Sequence, residues 1–496
     1  MKTLRVLELY SGIGGMHCAL KESCLPFEVI CAIDINTTAN KVYRHAFPAT
    51  KLSECGIETL TVKQLDEWKI DIIVMSPPCQ PFTRVGKKLD TEDLRTKSFL
   101  HLLGVLPRLT NCPSYILVEN VKGFESSQTR DRLLETLHTC KFNFQECLLT
   151  PLQFGIPNSR LRYYLIAKKA PLKFCFNTSE KILDTIPNCA LRWLSYKLWR
   201  SHCMTSSADS SGACGTATSS DVGMDTTQND QVIVSSSVAT EITDTQGSDQ
   251  ATSLSTNIYA TSDTQTSINS KNIQTCSLKC SAISREDQGR QFVPPEVLKS
   301  DCHSVLSGKS KFKESDKYQA LLECGHNMRQ LESDVRKLSE DCVKLGHFLE
   351  HFEDQYFDAY KLTDKELRRF IVMDIVHPCL TKTICFTKRY GHFMEGAGSI
   401  IQMTTDVQVV KRASEFKDSA MELKNRDEWG EEDMSIIRAL QLRYFTPREI
   451  ANLLCFPQSY GFPEDLSRIQ SYRLLGNSLN VHVVSVLLRM LTEGDT

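Results

Sequence analysis

Asp71-Ile-Ile-Val-Met-Ser-Pro-Pro-Cys-Gln-Pro-Phe-Thr83 is the stretch on which the reading of this chain turns. Ile72 to Met75 is a short apolar run closed by prolines, the pattern of a strand buried on both faces. Proline has no N–H to give a ladder and pushes the residue before it out of helical backbone, so Ser76-Pro77-Pro78 turns the chain where the strand ends. Cys79 is therefore displayed on a loop. A thiol on a rigid turn suits a nucleophile once a nearby charge or dipole favours its thiolate. The competing reading is a small packed apolar residue, which most free cysteines are, and the chain has 20 of them. The neighbouring strands must decide.

Leu4 to Leu9 reads as the first strand and runs into Tyr10-Ser-Gly-Ile-Gly-Gly-Met16, followed by a helix to about Lys21. Strand, glycine turn and helix make the first half of a dinucleotide-type site, because glycines let backbone approach a ligand at a helix N-terminus. The spacing Gly12-x-Gly14-Gly15 is not that of pyrophosphate binders, and a plain tight turn reads equally well. A second strand, Val29 to Ile33, ends at Asp34, where such folds hold a ribose diol; a helix N-cap before Thr37 is the other reading, and both can hold. Ala39 to Phe47 reads as helix, Ile57-Glu58 as loop, Thr96 to Leu109 as an amphipathic helix and Tyr115 to Val118 as a strand ending at Glu119-Asn120-Val121. Helix Thr129 to Cys140 and strands Phe144 to Leu149 and Tyr163 to Ala167 follow. Ligands of an open parallel α/β sheet bind at the carboxyl ends of its strands. Tyr10 to Gly15, Asp34, Cys79 and Glu119 all fall there. Arg160 and Arg162, two apart at a strand entrance, face one way and suit a carboxylate or phosphate, or form a solvated pair.

Composition sets the outer limits. The 496 residues, 41% of them hydrophobic, make room for two or three domains with a sizeable core. Arg5 and Glu8 interrupt the first apolar run, which reads as a strand and not a signal peptide, and no run reads as long enough for a bilayer. So many cysteines without a secretory signal imply free thiols in a reducing compartment. Cys276 and Cys280 lack a second pair at zinc-finger spacing, so no metal is expected. The net charge of −2 weighs against a nucleic-acid partner until its distribution is seen. Ser201 to Ser270 has seven Asp, one Glu and no Lys or Arg, so it carries −8 and leaves +6 on the rest. Such a body is compatible with RNA or DNA.

Pro78-Cys-Gln80, Glu119-Asn-Val121 and Arg160-x-Arg162, in that order after Tyr10-Ser-Gly-Ile-Gly14, resemble the motif series of the cytosine-5 methyltransferases. Gly476-Asn-Ser-Leu-Asn-Val481, opening a helix to Leu491, resembles that family's last motif and would pack back beside the first strand. Ile384-Cys-Phe-Thr-Lys388 followed by Tyr390-Gly391 resembles the target-recognition segment of its small stand-alone branch, which methylates tRNA for aspartic acid. The likeness covers about residues 1 to 170 and 370 to 492. It implies a Rossmann-like α/β sheet that binds S-adenosylmethionine, with a smaller target-recognition domain. It further implies cofactor contacts at Tyr10, Gly12, Ile13, Gly14, Gly15, Asp34, Ile57, Glu58, Ser76, Asn477 and Ser478, and substrate contacts at Gln80, Cys385, Phe386 and Thr387. Cys79 attacks carbon 6 of the cytosine, turning the ring into an enamine-like nucleophile at carbon 5. Glu119 contacts ring nitrogen 3 and the exocyclic amine, while Arg160 and Arg162 hold the base and its phosphate or orient Glu119. The base must leave its stack, which costs less from an anticodon loop than from a duplex. DNA is the alternative substrate, and a silent nucleic-acid-binding relative is the alternative class.

Between the halves, Ser201 to Ser270 holds 29 Ser or Thr in 70 residues and reads as a disordered insert. Leu321, Cys324, Met328, Leu331, Val335, Leu338, Cys342, Leu345, Leu349, Phe352 and Tyr356 then recur three and four apart. That spacing predicts one long amphipathic helix, or else a helical hairpin or a coiled-coil contact through 321–356 in an otherwise monomeric protein. Arg443 to Ile450 and Phe456 to Pro463 resemble the family segment that braces the recognition domain. The expected layout is a first catalytic part over 1–170, linker and insert over 171–300, helix and recognition domain over 301–440, and brace with returning helix over 441–496. A cytoplasmic location, with or without a nuclear one, and no membrane association complete the expectation.

Overall fold

The structure is a computed structural model that describes residues 2–78, 96–187, 342–420 and 429–495. Cys79 and Gln80, the Ser/Thr-rich insert, Cys276, Cys280 and most of the heptad segment lie outside the described residues. The first half runs Leu4–Leu9 (β1), Gly15–Glu22 (α1), Phe27–Ile33 (β2), Thr37–Ala46 (α2), Leu52–Ser53 (β3), Val62–Trp68 (α3) and Ile72–Met75 (β4). It continues through Lys97–Val105 (α4), Tyr115–Val121 (β5), Gln128–Thr139 (α5), Phe142–Leu149 (β6), Asn158–Ser159 (β7) and Arg162–Lys169 (β8). Seven strands form one sheet in the order β3-β2-β1-β4-β5-β8-β6.

Both faces of that sheet are covered. Ile72 and Val74 enter the hydrophobic cluster on one side, Ile73 and Met75 the cluster on the other, which is why β4 reads as an unbroken apolar run. The expected all-parallel arrangement fails at one strand, because β8 is antiparallel to both β5 and β6. Only the short loop 150–161 separates β6 from β8, too little for a helical crossover, so β8 returns antiparallel and slots between its neighbours. β3 and α3 escape the sequence reading; β3 has two residues, and α3 starts at Thr61, whose hydroxyl accepts the Gln64 N–H at 3.2 Å.

A buried polar cluster ties β1, α1 and α2 together. The Glu8 carboxyl on β1 accepts the Tyr43 hydroxyl of α2 at 2.7 Å and the His17 N–H of α1 at 3.3 Å. Burial pushes Glu8 up to about 8, against the lowering pull of Tyr43 and His17.

The second half holds Asp354–Phe357 (α6), Asp364–Leu367 (α7), Ile375–Val376 (β9), Thr383–Ile384 (β10), Ile400–Gln402 (β11), Val407–Ala420 (α8), Glu431–Arg438 (α9) and Leu442–Arg443 (β12). Pro447–Leu453 (α10), Arg468–Asn477 (α11) and Val481–Thr492 (α12) close the chain. β12, β11 and β9 make a small sheet, and β10 pairs with β7 of the first half. The heptad expectation is overturned where the structure describes it: Leu345–Phe348 is a single 3-10 turn, and the chain stays extended to Glu353. The amides of Leu345 and Gly346 donate to the Leu380 and Pro378 carbonyls at 2.8 Å each, so they are not available for a helix ladder.

The brace is built on a buried ion pair. Arg443 meets Glu449 through two bonds of 2.9 and 2.8 Å, with Phe357 under its guanidinium at 4.2 Å, while Thr446 caps α10. Helix α12 returns to α1, where Glu22 accepts from Ser485 and pairs with His482 at 2.6 Å. Contrary to the sequence reading, Arg468–Thr492, α11 and α12 taken together, is by length and composition enough to cross a bilayer; the helix breaks at Ser478 and the most apolar window is 83% buried inside the fold, as core helices are.

Candidate functional site

Strand register levels the carboxyl ends. Leu9 pairs with Ile33 and with Met75, and Met75 pairs with Val118. The next residue on each strand is Tyr10, Asp34, Ser76 and Glu119, so these four stand along one rim. Of the rim read from the sequence, Tyr10, Asp34 and Glu119 are on this edge, and Cys79 lies outside the described residues.

On one side of the rim lies the glycine turn. Gly12 and Gly14 take positive φ of 53° and 81°, which other residues reach only with strain. A Cβ on Gly14 would fall 2.3 Å from the Phe47 ring, and one on Gly15 would fall 3.0 Å from Leu479 and 3.2 Å from the Ser478 hydroxyl. The turn thus presses against the start of the last motif. The Tyr460 hydroxyl, from the brace, holds the Ile13 carbonyl at 2.6 Å. Asp34 accepts the Gly12 N–H and the Asn36 N–H, both at 2.8 Å. Burial raises its pKa, and the Asn36 and Gly12 N–H bonds oppose that. The N-cap reading belongs to Asn36, which accepts from Thr38 and Ala39. Tyr10 bonds Ser98 at 3.0 Å, and burial, then Glu58 and Asp34, raise its phenol. The Ser11 hydroxyl is buried without a partner.

On the other side, Ser76 lies beside Glu119, and Asn120 donates to the Pro77 carbonyl at 3.4 Å. Asn120 thus tethers the proline turn two residues before Cys79. Glu119 sits inside β5, which runs on to Val121. Burial raises its pKa; Arg162, Arg160 and Ser76 pull the other way and lose. The Arg162 Nε lies 3.5 Å from Glu119 Oε1. Arg160 does different work. Its guanidinium, 3% exposed, donates to the carbonyls of Phe386 (3.1 Å), Gly476 (3.2 Å) and Ser478. It clamps the recognition segment and the last motif to the sheet, and its charge acts on Glu119 from there. Both arginines approach Cys385 Sγ, at 3.4 and 3.8 Å. Burial resists ionisation of that thiol, but the two guanidinium groups outweigh it and leave the pKa below the ordinary value.

Most expected residues are on or beside the rim, but several face elsewhere. Phe386 is 3% exposed and packs edge-on against Tyr390 and Phe445, so the expectation of a substrate contact there is corrected: the ring belongs to the core. The side chains of Ile13 and Ile57 are also core, leaving only their backbone for a ligand. Asn477 is exposed, Ser478, Cys385 and Thr387 are half-buried, and Cys79 and Gln80 lie outside the described residues. Ser11, Ile35 and Asn120 were missed. Ile35, 73% exposed beside Asp34, carried a signal in being an apolar residue just past a strand end; Ser11 and Asn120 carried none beyond their neighbours. Among the described residues no group of three His, Cys, Asp or Glu is placed to hold a metal ion.

The sequence pattern of the family described as C-5 cytosine-specific DNA methylase matches residues 4–493. The tRNA (cytosine(38)-C(5))-methyltransferase of Homo sapiens is 38% identical over 494 residues, 99% of this chain and 100% of that protein. A Dictyostelium discoideum protein called a DNA (cytosine-5)-methyltransferase is 32% identical over 499 residues, 99% of this chain and 95% of that one. Among solved structures, a mutant DNMT2 of Spodoptera frugiperda superimposes with a TM-score of 0.61 at 31% identity, covering 99% of this chain and all of that one.

Proposed function

The chain belongs to the C-5 cytosine-specific DNA methylase family, and from that premise we propose that it methylates carbon 5 of a cytosine in the anticodon loop of tRNA, tRNA for aspartic acid in particular. The observation that carries the reading is the level rim. It puts Glu119 beside Ser76, three residues before Cys79, and puts the Asp34 carboxylate on the same edge. Full-length similarity to the human tRNA enzyme favours RNA over DNA.

The residues fit S-adenosylmethionine. Asp34 keeps lone pairs for a ribose diol after its two backbone bonds, Ile35 offers an apolar surface for a purine, and the unpartnered Ser11 hydroxyl lies in the glycine turn. Tyr10, Gly12, Gly14, Gly15, Glu58, Asn477 and Ser478 complete the wall. Bound there, the cofactor supplies an electrophilic methyl group on a sulfonium. The chain does the rest. Cys79, as thiolate, forms a bond to carbon 6 of the cytosine, and the ring electrons move toward carbon 5. Glu119, whose raised pKa keeps a proton available, hydrogen-bonds nitrogen 3 and limits charge build-up on the ring. Arg162 fixes the direction of that carboxyl. Once carbon 5 is methylated, loss of its proton restores the ring and breaks the carbon–sulfur bond.

Transfer of labelled methyl groups tests the reading. With S-adenosylmethionine, total tRNA is expected to become labelled and duplex DNA not, and Cys79→Ala is expected to remove all label. Label in DNA alone would overturn the choice of tRNA in favour of the DNA reading. Label in neither would favour the silent relative.

A further inference from the structure

The recognition segment and the loop after it carry three aromatic rings, Phe386, Tyr390 and Phe393, and only Phe393 is turned outward; Tyr444 of the brace joins the buried ones. Phe386, Tyr390 and Tyr444 are buried against one another. Phe393 is 42% exposed. The chain between Thr387 and Ala397 is a closed loop, with the Thr387 N–H on the Ala397 carbonyl at 2.8 Å. Within it, the N–H groups of His392 and Phe393 both donate to the Arg389 carbonyl at 3.0 Å, a single tight turn. Arg389 and Phe393 are thus four apart on one side of that turn, with the guanidinium 5.8 Å from the ring centre.

The turn is held rigidly from within. The Tyr390 hydroxyl donates to the Ser399 carbonyl at 2.8 Å and accepts the Phe445 N–H at 2.9 Å. Gly391, at φ 82°, has no room for a Cβ, which would meet Tyr472 at 2.8 Å and Ile469 at 3.0 Å. The root of the loop touches the site: Arg160 holds the Phe386 carbonyl, and a Cβ on Gly476 would fall 2.2 Å from Thr387. The inner side of the loop is braced, and its outer side bears Arg389, His392 and Phe393, all exposed. An exposed ring backed on one side by a cation, on a loop whose root Arg160 holds beside the last motif, is built like the stacking platforms that hold single-stranded nucleic acid.

Resting on the tRNA reading above, we propose that Phe393, backed by Arg389, stacks against an unpaired base of the anticodon loop next to the methylated cytosine, with Arg389 also meeting the strand's phosphate. The pair would select an open loop over a duplex, whose bases are not free to stack.

The full-length protein tests this with an anticodon stem-loop RNA, by fluorescence anisotropy and steady-state kinetics. Phe393→Ala is expected to raise Kd and KM for the RNA about 5- to 150-fold, the range of one base–aromatic stack, and Phe393→Trp to restore both. Arg389→Ala is expected to lower the slope of log K against log salt by about 0.7, one phosphate on a single strand. Melting temperature and S-adenosylmethionine binding should match wild type in all three, since the side chains face outward. Wild-type transfer to tRNA is the control, and its failure would overturn the function reading itself. With that control in place, unchanged Kd and KM in Phe393→Ala, or no rescue by tryptophan, would overturn the stacking proposal alone.

Discussion

Glu119→Gln is expected to lower kcat about 10²- to 10⁴-fold, the range associated with losing a positioned acid–base group. Binding of S-adenosylmethionine and tRNA should stay near wild type. Glutamine keeps the shape and can still hydrogen-bond the ring, but it cannot carry a transferable proton. The pH profile separates this from a structural effect. Burial raises the Glu119 pKa against the pull of Arg162, Arg160 and Ser76, so its protonated form persists to higher pH than that of an exposed carboxyl. Activity that needs that form falls as pH rises through the raised pKa. The glutamine variant should lack that alkaline limb in its residual activity. A wild-type-like limb in Glu119→Gln would assign it to another group.

Arg160→Ala is expected to act mainly on stability. It removes the donor to the Phe386, Gly476 and Ser478 carbonyls in a site closed to water, at about 1–3 kcal/mol for each buried group left unsatisfied. A total of about 3–9 kcal/mol should lower Tm by roughly 5–15 °C. Arg160→Lys should recover little, because one ammonium cannot copy the planar fork that reaches both the recognition segment and the last motif. Arg162→Ala is the contrast: it should leave Tm within a few degrees while cutting activity, since Arg162 is only partly buried and touches Glu119. Equal Tm losses in both variants would contradict this division of labour.

The sequence displayed the rim because its signals are local. Ile72 to Met75 is apolar throughout, as a strand covered on both faces must be, and Pro77 and Pro78 end it at the sheet's edge. Asp34 directly follows β2 and Glu119 lies near the end of β5, one past the Val118 that pairs with Met75, so alignment of the strands brought them into line. What stayed hidden depends on partners far along the chain. Arg160 and Arg162 read as an equivalent pair, yet the carbonyls that bind Arg160 belong to residues more than two hundred positions away, which no spacing rule reports. Phe386 sits in a motif that reads as substrate-facing, but the ring turns inward because Tyr390 and Phe445 close around it. The heptad spacing misled at its C-terminal end for a related reason. Cys342 and Leu345 are buried as the pattern required, but Phe352 and Tyr356 are exposed, and the backbone amides of Leu345 and Gly346 bond to a neighbouring segment and not to a helix.

The claim at the centre is that the Cys79 sulfur bonds to a cytosine ring of tRNA. An anticodon stem-loop carrying 5-fluorocytidine at the target puts it to the test, because fluorine in place of the carbon 5 hydrogen blocks the elimination that frees the enzyme. Incubated with S-adenosylmethionine, the wild-type protein should form an adduct that survives denaturation, and mass spectrometry should place the RNA on Cys79. A covalent RNA on Cys385, the other thiol of the site, or methylated product from the normal RNA with no trapped adduct from the fluorinated one, would contradict it.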